Sequence, residues 1–148
     1  MFKKIMTILC GIGISTQIFA QKEEISMKPI LTDAGKYIQQ IEMEMGLEIV
    51  RMEFDILQTT KLSFRSLDEN FEYGIFAFGD FRISDIDVKV YRWANNQWTL
   101  VGKDDTEDGN ALVTIKPFLT GEYKIEISAY KFEPGYTIGH YGLLIYHN

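Results

Sequence analysis

Three aspartates lie close together in the middle of the chain. Asp80 ends the apolar stretch "FEYGIFAFG", and Asp85 and Asp87 open the alternating run "DIDVKVY". A second acidic group follows in "KDDTEDGN", with Asp104, Asp105, Glu107 and Asp108. Carboxylate oxygens at this density suit a hard cation such as calcium, whereas zinc and copper favour nitrogen and sulfur. The candidate metal ligands are Asp80, Asp85, Asp87 and Asp104. The competing reading makes the same carboxylates the solvated face of a strand and the caps of its turns. "DDTEDGNALVTI" imitates an EF-hand opening, with Asp104, Asp108 and Gly109 at its first, fifth and sixth positions. Its twelfth position is Ile115 where that loop needs a bidentate Glu, so the EF-hand reading fails.

Other chemistry is sparse. The two histidines, His140 and His147, are seven residues apart in one strand-like run, and odd separations put side chains on opposite faces. No G-x-S-x-G, H-E-x-x-H or glycine-rich phosphate loop occurs. A small secreted hydrolase using Asp and His on a domain rim stands as an alternative that no motif marks. Trp93 and Trp98 flank the hairpin tip "ANNQ" and are the candidate ligand-binding residues. With Tyr91, Tyr130, Tyr136 and Tyr141 they would form a stacking platform for a polysaccharide or a protein ligand. The same pair also serves as a cross-strand aromatic contact that stabilises its own hairpin.

These residues need elements to position them. In "TDAGKYIQQIEMEMG", Ala34, Ile38, Ile41 and Met45 fall at helical spacing, Thr32 or Asp33 is placed to cap the start and Gly46 to close the end. Residues 21–31 read as a polar lead-in. From residue 49 the period is two: Met52, Phe54 and Ile56 alternate with charged residues, and Leu62 and Phe64 alternate with Ser63 and Arg65. In "DIDVKVY", Ile86, Val88 and Val90 share one face, so Asp85 and Asp87 are expected on the outward one. In "GEYKIEI", Tyr123, Ile125 and Ile127 are expected inward. Turn signals separate the runs: "LDEN", "ANNQ", "DDTEDGN", "PFLTG" and "EPG". The pattern predicts an all-β fold, an antiparallel β-sandwich or jelly roll of about eight strands with one N-terminal helix.

Residues 1–20 have the form of a signal peptide. Lys3 and Lys4 precede the ten-residue apolar stretch "IMTILCGIGI", too short to span a bilayer, and Ala20 offers a small residue for cleavage. Residues 21–48 are then the lead-in and helix, and 49–148 the sandwich domain. Cleavage removes Cys10, the single cysteine, and with it any disulfide, thiol nucleophile or thiolate metal site. It also removes two lysines and no acids, taking the net charge from −6 to −8. An acidic exported chain argues against nucleic acid and anionic membrane surfaces as partners, and no membrane span is expected after cleavage. Periplasmic and secreted destinations both fit.

Read together, "SDIDVKVY", "LVGKDD", "VTIKPFLTGEYKIEI" and the closing "GLLIY" resemble the bacterial pre-peptidase C-terminal domain over residues 50–148. The resemblance implies an exported jelly-roll sandwich acting as a non-catalytic binding or accessory module, with calcium in some members. No peptidase domain accompanies it in this chain, so the processing role of that family does not transfer.

Overall fold

The computed structural model describes residues 26–148, and the expected signal peptide lies outside the described residues. The period-two segments form eight strands: β1 Glu48–Leu57, β2 Thr60–Leu67, β3 Tyr73–Gly79, β4 Ile83–Ala94, β5 Gln97–Asp104, β6 Asn110–Ile115, β7 Gly121–Phe132 and β8 Gly139–His147. They pair antiparallel in two four-stranded sheets, ordered β1-β8-β3-β6 and β2-β7-β4-β5. We call these the first and second sheets. Every connection except the β4–β5 hairpin crosses from one sheet to the other, which makes a β-sandwich of the expected class. Among the described residues no helix is long and apolar enough to cross a membrane.

Between the sheets lies a core of β-branched and aromatic side chains. Val88, Val90, Ile125, Ile127, Leu143 and Ile145 are fully buried, and Tyr123 nearly so. The "GEYKIEI" strand therefore faces as its alternation predicts. A second apolar cluster forms on the outer face of the first sheet, where Ile30, Ala34 and Ile41 of the helical segment pack on Phe78, Leu144 and Tyr146. Tyr37 meets Phe76 and Phe78 edge-on at ring-centroid distances of 4.8 Å. Every residue of β8 from Gly139 to His147 pairs with β1, and the one irregularity of this ladder falls on β1, between Ile49 and Arg51. Gly142 makes room for Phe78, whose ring would stand 2.4 Å from an added Cβ.

The helix departs from its expected bounds. Helix α1 runs Lys28–Ile38 and starts with a proline in its first turn, where the missing N–H costs no hydrogen bond. Thr32 is no cap; its hydroxyl donates to the Lys28 carbonyl at 2.9 Å, and Asp33 pairs with Lys36. A wider π-turn, Gln39–Glu44, continues the helix, and the chain leaves at Gly46 with φ 67°, as its terminating role requires. The π-turn places Ile41 on the sheet and leaves Met43 and Met45 exposed.

Strand β2 has the expected period and the unexpected face. Its small and polar side contributes Ser63, buried, with a hydroxyl donating to Glu53 at 2.7 Å. Leu62 and Phe64 point away from the core, each 52% exposed.

The corner between β3 and β4 is built on Asp80, which is 4% exposed. Its carboxylate accepts from the Arg82 backbone N–H at 3.0 Å, from Arg82 Nε at 3.0 Å and from the His140 backbone N–H at 3.0 Å. Arg82 Nη2 in turn lies 2.7 Å from His140 Nδ1. Arginine can only donate, so in this contact Nδ1 is the acceptor. Burial alone would push the Asp80 carboxyl up; the hydrogen bonds from Arg82 and the His140 N–H outweigh it and hold it below the usual carboxylate range. Asp80 is thus a structural ion-pair residue, with its oxygens committed to the fold.

Two outcomes follow for stability. Ile125→Ala should cost about 2–5 kcal/mol, while Leu62→Ala, on the solvent side, should stay within about 0.5 kcal/mol; urea titration of both variants checks the face assignment. Asp80→Asn should cost about 3–5 kcal/mol at neutral pH by removing the negative partner of a buried ion pair. Because the native pKa is depressed, the wild type loses this contribution as pH falls through it, below the ordinary value of about 3.9. Melting curves of the two proteins should therefore converge in acid.

Candidate functional site

Helix α1 covers the outer face of the first sheet, and among the described residues nothing equivalent covers the second. That outer face carries the two sequence-predicted clusters at its two ends, because β4 presents Asp87, Lys89, Tyr91 and Trp93 to it in alternation.

The aromatic end is organised by the β4–β5 hairpin. Asn95 and Asn96 adopt positive φ, 54° and 59°, the conformation of a two-residue type I′ turn. This turn sets Trp93 directly opposite Trp98, with ring centroids 5.1 Å apart and planes inclined by 58°. Phe64 of β2 reaches Trp98 at 5.8 Å. Between them Lys124 of β7 lays its ammonium over the rings of Tyr91 and Trp98, at 4.2 and 5.2 Å. Phe64, Trp93, Trp98 and Glu122 line a shallow depression of about 310 Å³. Leu62 and Leu100, 52% and 47% exposed, extend the apolar area. Sequence reasoning found the tryptophans but missed Phe64, whose alternation reads as a core face. Of the tyrosines expected here, Tyr91 alone belongs to the platform: Tyr141 is in the core, Tyr136 pairs with Phe81, and Tyr130 stands at the acidic end.

At the acidic end Asp85 and Asp87 line an open depression of about 610 Å³ together with Asp105 and Glu107. Asp87 is half-buried on the outer face as expected. Asp85 shares that depression but not its exposure: it is 3% exposed, beside a fully buried Ile86. Paired bulges explain this. Ile83 pairs with Phe132, Asp85 with Lys131 and Ile86 with Ala129, so Ser84 on β4 and Tyr130 on β7 are each extra to the ladder. With these extra residues Ile83 and Ile86 both face the core, Asp85 sits at the bottom of the depression, and Tyr130 is left 78% exposed. Asp85 Oδ1 is buried without a hydrogen-bond partner. Burial, with the charges of Glu107 and Asp108, pushes the Asp85 carboxyl up against the opposing Asp108 backbone N–H and Lys131. Asp87 is also raised, by burial and by Asp85, with Lys89 acting against.

The other candidate ligands lie apart from this pair in role. Asp104 staples the β5–β6 loop: its carboxylate accepts from the Thr106 hydroxyl at 2.7 Å, the Thr106 N–H at 3.1 Å and the Leu112 N–H at 2.9 Å. Burial works against these bonds, which nevertheless hold its pKa down. Among the described residues no three His, Cys, Asp or Glu side chains converge as a metal-binding group. His140 belongs to the Asp80 corner, and His147 stacks on Phe71 at 4.1 Å, so the histidines do lie apart.

No protein-family model matches the chain. A search of curated proteins likewise finds no match. Solved structures share the fold. The pre-peptidase C-terminal domain of a Bacillus anthracis collagenase superposes with a TM-score of 0.51 at 11% identity, over 64% of this chain and 87% of that one. The Yersinia pseudotuberculosis-derived mitogen superposes with a TM-score of 0.50 at 13% identity, over 67% and 85%. At such identities the likeness is one of fold, and the chain shares the β-sandwich of the pre-peptidase C-terminal domain.

Proposed function

We propose that this chain is an exported, non-catalytic binding module, and that its working surface is the outer face of the second sheet. One observation carries the reading: an uncovered sheet face that concentrates Leu62, Phe64, Trp93, Trp98 and Leu100 in one area. Exposed apolar area of this kind, rimmed by charge, marks an interaction site. Tryptophan and tyrosine are the residues that dominate binding energy at such sites. The fold shared with the collagenase pre-peptidase C-terminal domain agrees with this reading, and the leader-like residues 1–20 support export.

The geometry favours a protein partner over a polysaccharide. A sugar ring stacks on an open, flat aromatic face. Here the rings of Phe64, Trp98 and Trp93 are inclined to one another by 57° and 58°, and the Lys124 ammonium lies over Trp98 and the neighbouring Tyr91. Inclined rings with an interleaved cation suit irregular side chains, which present edges, methyl groups and carboxylates.

Immobilised protein should retain a stoichiometric partner from the exported proteins of its source organism. Trp98→Ala should lose at least tenfold in affinity, equivalent to about 1.4 kcal/mol, with a native far-ultraviolet spectrum. Wild-type retention on a glycan array that Trp98→Ala abolishes would replace the protein partner with a polysaccharide. Failure to retain either class would overturn the binding reading.

A further inference from the structure

At the other end of the same face, the charges around Asp85 are unevenly matched. Asp85, Asp87, Asp105 and Glu107 line the depression against two lysines. Those lysines are engaged at its edge: Lys131 lies 3.2 Å from Glu107 and Lys89 leans to Glu126 at 3.9 Å. Asp105 is paired with Lys103. At the floor, Asp85 is 97% buried by its 3% exposure, and its Oδ1 has no donor. A buried carboxylate oxygen left without a donor is costly unless something arrives to pair with it.

We propose that the depression around Asp85 receives the guanidinium of an arginine from a protein partner. A single metal ion needs several ligands at one short distance, and the described side chains do not converge in that way. A guanidinium is planar and presents five N–H donors, so it spans carboxylates that are spread across a depression. It also stacks on aromatic faces, and Tyr130 stands exposed beside the floor. The same double bulge sets Asp85 at the bottom of the depression and Tyr130 beside it. The inference rests on the chain being a binding module, but not on what docks at the tryptophans.

The raised carboxyl of Asp85 adds a signature that a structural carboxylate lacks. Burial first, then the charges of Glu107 and Asp108, raise it; the Asp108 N–H and Lys131 oppose them, and Asp87 lies on the same strand. With a native pKa above the unfolded value of about 3.9, the free protein loses stability as pH rises through that interval. Asp85→Asn removes this loss. The variant should therefore melt at or above the wild-type temperature at pH 7, and the gain should vanish in acid.

The test is a ¹H–¹⁵N NMR titration of the protein with a capped Gly-Arg-Gly peptide, its citrulline analogue and calcium chloride. The arginine peptide should shift the amides of Asp85, Asp87, Glu107 and Tyr130 saturably, and the neutral analogue should not. Asp85→Asn should weaken binding at least tenfold. If that variant does not fold, Asp87→Asn should weaken binding by a similar direction and is read in its place. Trp98→Ala should bind the peptide as the wild type does, which separates this site from the platform. Equal binding of the citrulline peptide, full affinity in the variant that folds, or a lowered melting temperature for Asp85→Asn would each overturn the proposal. Calcium that displaces the peptide and reproduces its shifts would make the depression a metal site instead.

Discussion

A sandwich whose strands change sheet at almost every turn depends on its corners, and the corner at Asp80 carries the most. There β3 ends, β4 begins and β8 enters. A crossing of this kind exposes backbone N–H groups where no ladder reaches them, and each must find an acceptor. One carboxylate accepts from the backbone of Arg82 and of His140, and the same carboxylate neutralises the Arg82 side chain. The bond from Arg82 to His140 then ties the imidazole to the same corner. The start of β4 is held by this network, and the double bulge that follows it starts from a fixed point.

The two surfaces of interest descend from that strand. Beyond the corner, the bulges turn Asp85 into the depression and expose Tyr130. Alternation then resumes, buries Val88 and Val90, and presents Lys89, Tyr91 and Trp93 outward. The type I′ turn returns the chain so that Trp98 meets Trp93. An acidic hollow and an aromatic platform therefore share one sheet face, with their spacing set by the rise of a single strand.

The two outer faces of the sandwich meet different ends. The first sheet buries Phe78 and Leu144 beneath α1 and uses its apolar outer side for stability. The second keeps Phe64, Trp93 and Leu100 in solvent, where they do little for the core. Exposed aromatic area and a buried carboxylate oxygen without a donor both work against stability, and such departures from local consistency collect at functional sites.

Period-two alternation in residues 48–147 determined the strands, their number and the sandwich, because each strand must hide one face. It also determined the inward set of β7 and the hairpin tip at Asn95 and Asn96, since both follow from local rules. Which face of β2 is hidden was decided only by tertiary structure: Ser63 finds Glu53 across the chain, so the polar side goes in and Phe64 goes out. The helix start was likewise settled by packing, as Ile30 is buried against the first sheet from a segment that reads as polar lead-in. The four candidate carboxylates look alike in sequence, and their roles diverged through partners up to 60 residues apart. Asp80 and Asp104 were drawn into backbone hydrogen bonds, while Asp85 was sunk into the depression at a bulge that depends on how β4 and β7 are registered. Spacing cannot encode such differences, because they arise from the register between strands distant in the chain.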